Sequence, residues 1–134
     1  MIIRSYKPKD YEQVINLLTT CNVEPPIEES DLKGVCIVAA KCDQLVGVIW
    51  ALVGLSSQGY VDYFAIHPDH QQTKLGWNLL SVMDAALRQF GVKRYTFFIE
   101  PDNTYFMNLV EKTREANRVT RLRDLRFFRR EIGD

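Results

Sequence analysis

The sequence lacks any long apolar run. Its 134 residues are 46% hydrophobic, yet no stretch approaches the roughly 20 consecutive apolar residues that a membrane-spanning helix needs. The first residues, Met1-Ile2-Ile3-Arg4, also lack the pattern of a signal peptide. We therefore expect a cytoplasmic protein without a membrane partner.

Cysteine and histidine are also scarce. The chain has three cysteines, Cys21, Cys36 and Cys42, and two histidines, His67 and His70. An odd number of cysteines fits reduced thiols better than a disulfide framework. Neither the later two cysteines nor the histidines have the spacing of a metal-ligand cluster, so the sequence predicts no metal site.

The chain has no net charge, because 17 basic residues balance 17 acidic ones. From position 111 onward, however, eight Lys or Arg residues stand against five acids. The excess comes from Arg114, Arg118, Arg121, Arg123, Arg126, Arg129 and Arg130. Two explanations stay open: an electropositive patch for nucleic acid, an acidic substrate or a partner, or an edge strand protected from aggregation by its charge. Nucleic acid is not an expected partner, since interleaved stacking aromatics and glycines are missing.

Hydrophobic periodicity and turn residues divide the chain into alternating strands and helices. Strands are predicted at 1–6, 35–42, 45–53, 59–66 and 94–100, with one or two more in 119–132. Helices are predicted at 7–22, 75–90 and 103–116, and a loop or short helix at 23–33. Asp43-Gln44 is predicted as a tight hairpin turn and Gly91 as a helix stop. The length suits one α/β (α+β) domain spanning 1–134.

One segment joins a strand to a helix through a polar loop. The run Ile66-His67-Pro68-Asp69-His70-Gln71-Gln72-Thr73-Lys74-Leu75-Gly76-Trp77 breaks the strand at a proline and enters an apolar periodic helix. Unpaired N–H groups at a helix start, together with the helix dipole, attract phosphate oxygens. A glycine there lets a ligand approach the backbone closely. The segment therefore predicts an anion cradle.

This layout resembles motif A of the GNAT (Gcn5-related N-acetyltransferase) superfamily, which reads Gln/Arg-x-x-Gly-x-Gly/Ala. Gln71 fills the first position and Gly76 the last, whereas Lys74 replaces the first glycine. Lysine carries a steric cost if that position needs a positive φ, but it adds an N–H and a cation. The resemblance implies acetyl-CoA as cosubstrate, with its pyrophosphate held by Gln71, Gln72, Thr73, Lys74, Leu75, Gly76 and Trp77.

The order of elements also resembles that of GNAT proteins over nearly the whole chain. It implies a mixed, mostly antiparallel sheet of six or seven strands flanked by about four helices. The strands at 59–66 and 94–100 are expected to be parallel and to splay at their C-terminal ends. The pantetheine arm of CoA is expected in that gap, beside Phe64, Ala65 and Ile66.

Candidate catalytic residues lie on the strand at 59–66. By period two, Tyr60, Asp62, Phe64 and Ile66 share one face. The run Tyr60-Val61-Asp62-Tyr63-Phe64-Ala65-Ile66 is similar to the Tyr-Ile-Glu-Asp-Leu-Tyr-Val run of small-amine acetyltransferases. That similarity implies Asp62 as general base, usually through water, although a hydrogen-bonded structural role stays open. Tyr60, a phenol with an ordinary pKa of about 10, is a weaker base and is expected to line the acceptor pocket.

The helix at 103–116 resembles GNAT motif B. Glu100-Pro101-Asp102-Asn103 matches its start, so Asn103 is expected to bind the pantetheine. Phe106, counted with the cofactor-binding residues, replaces a small residue of the motif. Val110 replaces the tyrosine that protonates the departing thiolate. A thiolate needs no strong acid, so the resemblance still implies transfer.

Two functions stay open. The first is an N-acetyltransferase that moves an acetyl group from acetyl-CoA to a primary amine of a small molecule or peptide. The second is a catalytically inactive GNAT-fold binding or structural protein, such as a phage virion component. The departures at Lys74 and Val110 keep this alternative open, and a homodimer is open as well.

Overall fold

The computed structural model describes residues 1–26, 34–54, 57–97 and 103–113. The chain forms two compact units, Met1–Phe98 and Ile99–Asp134. The first unit contains strands β1 (Ile2–Ser5), β2 (Val35–Lys41), β3 (Gln44–Val53), β4 (Gln58–Ile66) and β5 (Arg94–Phe97), and helices α1 (Tyr11–Thr20) and α2 (Leu75–Arg88). The described residues of the second unit contain helix α3 (Thr104–Thr113). The single domain expected over 1–134 stays a prediction.

The strands form one mixed sheet in the order β1-β2-β3-β4-β5. Neighbours from β1 to β4 are antiparallel, whereas β4 and β5 are parallel. The fold class and the parallel pair are therefore confirmed, and α2 is the crossover between the paired strands. The described ranges hold five strands and three α-helices, against six or seven strands and about four helices predicted. The expected strands at 119–132 and the Arg-rich segment lie outside those ranges.

The two helices of the first unit cover opposite faces of the sheet. One face packs against α1 in a cluster formed by Val14, Leu17, Leu18, Cys36, Val38, Leu45, Val48, Trp50 and Ala65. The other face packs against the buried side of α2, formed by Leu75, Leu79, Leu80, Met83 and Leu87. Gly47 permits this close approach, since a Cβ there would lie 2.9 Å from Leu79 Cδ1. We call these faces the α1 face and the α2 face.

The hairpin between β2 and β3 turns one residue earlier than expected. Its turn residues are Cys42 and Asp43, with φ angles of 51° and 65°, and Gln44 already pairs with Lys41. Positive φ at both positions is typical of a type I′ turn, whose twist suits the flanking strands. The prediction of Asp43-Gln44 is therefore wrong by one residue, because no glycine marks the first turn position.

Both helices of the first unit end before a residue in the left-handed region. Asn22 follows α1 with φ 58°, and Gly91 follows α2 with φ 76°. Schellman-type hydrogen bonds close each end. The predicted stop at Gly91 is confirmed. The start of the first helix differs from the prediction, since Pro8–Asp10 form a 3-10 turn before α1 begins.

A buried carboxylate joins β1 to the start of α1. Asp10 is 2% exposed and accepts hydrogen bonds from Arg4 Nη1 at 2.7 Å and Nη2 at 2.9 Å. It also accepts the Lys7 main-chain N–H at 2.8 Å. The hydrogen bonds from Arg4 hold the pKa of Asp10 below its ordinary value. This ion pair fixes β1 against the 3-10 turn.

Asp10→Asn is expected to lower the free energy of unfolding by about 2 kcal/mol at neutral pH, because Arg4 loses a buried charged partner. The pKa of Asp10 is lower in the folded protein. Its contribution is therefore complete above the unfolded-state pKa of about 3.9 and is lost as the pH falls through the folded value. Urea unfolding at neutral and strongly acidic pH measures this. The exposed turn variant Asp43→Asn is the control, and an equal loss in both variants would contradict the assignment.

Candidate cofactor-binding and catalytic site

The loop between β4 and α2 is closed by a threonine. The Thr73 hydroxyl donates to the His70 carbonyl at 2.7 Å and accepts the Leu75 N–H at 3.2 Å. It therefore satisfies one of the N–H groups that a helix start leaves without a partner in the helix. The Asn78 N–H donates to the Lys74 carbonyl at 3.0 Å. Thr73 thus helps to set where α2 begins.

Two other donors stay available at this helix start. The main-chain N–H groups of Gly76 and Trp77 have no acceptor among the residues that the structure describes. They lie in the first turn of α2, where the helix dipole favours an anion. The indole Nε1 of Trp77 is buried and likewise has no acceptor in the described ranges. The arrangement is suited to hold phosphate oxygens through the main chain.

Lys74 occupies the position where motif A has a glycine. Its φ is −81° and its ψ is 8°, which lies outside the left-handed region that favours glycine. The steric cost considered for this lysine therefore does not arise. Its side chain is exposed, so the ammonium group adds positive charge beside the start of α2.

The carbonyl oxygen of Ile66, the last residue of β4, accepts two side-chain donors. Gln71 Nε2 donates at 3.0 Å, and Cys21 Sγ, just after α1, donates at 3.2 Å. The Gln71 amide is therefore used within the protein, and its main chain is the part that a cofactor can use. Burial raises the pKa of the Cys21 thiol, which keeps its S–H available to donate. Sequence reasoning misses Cys21, because a lone cysteine after a helix forms no pattern.

The other residues expected to bind the cofactor differ in exposure. Leu75 is 4% exposed and belongs to the core. Gln72 and Thr73 are exposed in the loop. Ala65 and Ile66 are 0% exposed, main chain included, whereas Phe64 is half-buried and is the one of these three residues with exposed surface.

A β-bulge interrupts β4 at Asp62. Trp50 of β3 pairs with Tyr63, and the next residue, Ala51, pairs with Val61. Asp62 is therefore an extra residue in β4 with no register partner on β3. An extra residue changes the alternation of side chains between the two faces of a sheet, and bulges are frequent next to active sites.

Strict alternation along β4 would place Tyr60 and Phe64 on the same face of the sheet, but the bulge between them puts them on opposite faces. Phe64 pairs with Ile49 and lies on the α2 face, whereas Tyr60 pairs with Leu52. Leu52 alternates with Trp50 of the α1 cluster, so Leu52 and Tyr60 lie on the α1 face. The prediction that Tyr60 shares a face with Phe64 and Ile66 is therefore wrong. No glycine or other local signal in the sequence marks the extra residue.

Asp62 and Tyr60 are both exposed, Tyr60 by 52%. Surrounding protein atoms still desolvate the Asp62 carboxyl and raise its pKa. A raised pKa makes a carboxylate a better proton acceptor. The described pairing of β4 with β5 ends at Val61 and Phe97, so Asp62 follows directly after that pair. The expected splay of the strands involves residues 98–100, which lie outside the described residues.

Helix α3 of the second unit begins at an asparagine cap. Asn103 Oδ1 accepts the Phe106 N–H at 3.3 Å, so its Nδ2 is the atom that suits a ligand. Phe106 is 5% exposed, and its ring centroid lies 4.8 Å from that of Tyr105. The Tyr105 hydroxyl is buried without a partner in the described ranges, and burial raises its pKa. Val110 is half-buried.

A groove of about 480 Å³ lies between α1 and the β2–β3 turn. It is lined by Gln13, Asn16, Leu17, Thr20, Asp43, Gln44, Leu45 and His67. None of the side chains expected to bind or react lines this groove. The groove is therefore separate from the helix start and the bulge, where the free donors and the desolvated carboxylate lie.

The described residues contain no group of three His, Cys, Asp or Glu side chains that could hold a metal ion. All three cysteines are free thiols. None of the helices described is long and apolar enough to cross a membrane.

Comparison with known families identifies the chain. The model of the acetyltransferase (GNAT) family matches residues 5–114. The chain belongs to the GNAT family. Among curated proteins, no sequence matches this GNAT chain significantly.

Solved structures share the GNAT fold at low sequence identity. The ribosomal-protein-S18-alanine N-acetyltransferase from Escherichia coli is 19% identical, with a TM-score of 0.70 over 83% of this chain and 74% of that one. A ribosomal-protein-alanine N-acetyltransferase from Brucella melitensis biovar Abortus 2308 is 14% identical, with a TM-score of 0.73 over 98% and 100%. The aminoglycoside N-acetyltransferase AAC(6')-Iy, solved with CoA, is 13% identical, with a TM-score of 0.76 over 98% and 100%. At these identities the likeness shows the fold alone.

Lys74→Ala is expected to weaken acetyl-CoA binding about threefold, because an exposed cation contributes modestly to an ion contact. The loss should shrink at high salt, since exposed charges are screened. Calorimetric titration at low and high ionic strength measures it. Lys93→Ala, which removes an exposed lysine between α2 and β5, is the control. An equal effect of the two variants would contradict a specific role for Lys74.

Proposed function

We propose that this GNAT protein is an N-acetyltransferase that moves the acetyl group of acetyl-CoA to a primary amine of a small molecule or peptide. The observation that carries the proposal is the pair of free main-chain N–H groups of Gly76 and Trp77 at the start of α2. Membership of the family supports the reaction class. The names of the structural neighbours, which act on ribosomal-protein alanine or aminoglycosides, support an amine acceptor.

The start of α2 fits the pyrophosphate of CoA. The N–H groups and the helix dipole favour an anion, Lys74 adds a cation, and Gly76 has no side chain to block the approach. When bound, acetyl-CoA supplies an acetyl group activated as a thioester. The residues of this chain hold the cosubstrate, orient it and accept a proton from the amine.

The pantetheine arm is assigned to the end of β4. The main chain of residues 64–66 runs between the bulge and the helix start. The four residue steps from Asp62 to Ile66 span about 13 Å. A molecule anchored at the start of α2 and extended along β4 therefore leads toward Asp62.

Asp62 is assigned as general base. At neutral pH a primary amine is mostly protonated, so its nitrogen has no free electron pair. The Asp62 carboxylate accepts one proton, directly or through water, and its desolvation favours this transfer. The nitrogen then bonds to the acetyl carbon, the C–S bond breaks, and CoA leaves as a thiolate that takes the second nitrogen proton, directly or through water. Since a thiolate leaves without a strong acid, Val110 does not prevent the reaction.

A catalytically inactive GNAT-fold protein with a binding or structural role is the second candidate. Val110 favours it, because the motif position of the tyrosine is apolar. Lys74 does not favour it, because its backbone conformation is one that lysine adopts readily. Binding and turnover of acetyl-CoA distinguish the two functions.

Gly76→Asp is expected to abolish acetyl-CoA binding, because it places a carboxylate where the phosphate oxygens would lie. Gly76 is buried, so thermal melting has to show that this variant is folded before its loss of binding is assigned to the site. Gly76→Ala adds a Cβ without charge and should retain measurable binding. Calorimetry compares the three proteins. Absence of binding by the unaltered protein at millimolar acetyl-CoA would favour the second candidate.

Asp62→Asn is expected to lower kcat by about 100- to 10,000-fold and to leave acetyl-CoA affinity nearly unchanged. The raised pKa of Asp62 means that the rate should climb as the pH passes through that value, and the variant should lack this rise. The deficit should shrink at high pH, where the amine loses its proton unaided. Steady-state pH profiles measure these effects, with Asp43→Asn as control. Full turnover of Asp62→Asn at neutral pH would make Asp62 structural.

A further inference from the structure

Part of the α1 face is left uncovered next to the bulge. Leu52 of β3 and Tyr60 of β4 are paired in register and are 37% and 52% exposed. Thr96 of β5 pairs with Tyr60 on its other side and is half-buried. Trp50, further along the same face, is only 4% exposed. We call Leu52, Tyr60 and Thr96 the Tyr60 platform.

The Tyr60 platform contains apolar surface from the Leu52 side chain and the Tyr60 ring. A Cβ built on Gly54 would lie 3.9 Å from Tyr60 Cε2, so the tyrosine ring leans over the end of β3. The ring and the Leu52 side chain present adjoining apolar surface on neighbouring strands. Covering such surface with a ligand removes it from water and stabilises the complex. An aromatic ring also favours contact with a second aromatic ring, either stacked or edge to face.

The platform adjoins the site on the side away from α2. The start of α2 and its free donors lie with the α2 face, whereas Leu52 and Tyr60 lie on the α1 face. Asp62 follows Tyr60 by two residues, a separation of at most about 6.6 Å along the strand. A carboxylate at the edge of an apolar surface is complementary to a cation attached to an apolar group.

We infer that the Tyr60 platform holds the body of the acceptor, and that the acceptor is an arylalkylamine, a primary amine one to three carbons from an aromatic ring. The inference rests on the proposed acetyl transfer at Asp62. The acceptor ring packs on Tyr60 and Leu52 while its ammonium group faces the Asp62 carboxylate. An aromatic ring followed by two or three single bonds of about 1.5 Å each is long enough to reach from Tyr60 to Asp62.

Acetylation of phenethylamine and n-butylamine tests this inference. The unaltered protein should prefer phenethylamine by about tenfold or more in kcat/KM. Tyr60→Ala should raise the KM for phenethylamine about tenfold and the KM for n-butylamine by a smaller factor, with little change in acetyl-CoA affinity. Tyr60→Phe should keep the preference, because the ring rather than the hydroxyl makes the contact.

Val53 supplies a matched control. It is 41% exposed on the same strand as Leu52, but it pairs with Gly59 and lies on the α2 face. Val53→Ala should leave both amines unaffected, whereas Leu52→Ala should raise the KM for phenethylamine about threefold. All these side chains are exposed, and thermal melting should show that each variant is folded.

Binding of phenethylammonium to the protein saturated with CoA separates this inference from the proposed function. Saturation-transfer NMR should show binding that Tyr60→Ala weakens about tenfold. That result supports the platform even if the protein acetylates no amine. Absence of acetylation would overturn the proposed function and not the platform. Acetylation of both amines with equal kcat/KM and no effect of Tyr60→Ala would overturn the platform and leave the function standing. No binding at all, or a dimer that Tyr60→Ala converts to a monomer in sedimentation, would also overturn the inference.

Discussion

The carbonyl group of Ile66 is the point on which the site depends. It ends β4 and accepts hydrogen bonds from both Gln71 and Cys21. The sheet, the loop between β4 and α2, and the end of α1 therefore meet at one oxygen atom. The Thr73 hydroxyl then fixes the first turn of α2. A loop held in this way is ordered before a ligand arrives, which reduces the entropy lost on binding. The free donors of α2 follow from this arrangement.

The extra residue at Asp62 is the second constraint. In a regular strand Tyr60 would point to the same side as Phe64, but the bulge turns it to the α1 face. The two sides of β4 are thereby given different surroundings. The start of α2 offers donors for phosphate on one side, and the Tyr60 platform offers apolar surface on the other. Asp62, the extra residue, lies in β4 between Tyr60 and Phe64.

The sequence predicts those features for which the conformational preference of the residues and their pattern of burial favour the same secondary structure. The apolar period of α2, its stop at Gly91 and the parallel crossover are examples. Features set by a single backbone angle could not be predicted. The φ of Lys74, the turn at Cys42-Asp43 and the bulge at Asp62 depend on how strands and loops pack, and no residue type marks them. The same limit applies to Gln71, whose position in the motif was predicted but whose bond to Ile66 depends on tertiary contacts.

The central claim is that the main chain at the start of α2 binds the pyrophosphate of acetyl-CoA. The most direct test is two-dimensional NMR of isotope-labelled protein titrated with acetyl-CoA. The largest changes in amide shift are expected at Gly76 and Trp77, with smaller changes at Phe64–Ile66 and little change in β1. Saturating shifts elsewhere in the chain that leave the Gly76 and Trp77 amides unmoved would contradict the claim, as would a titration without any shifts.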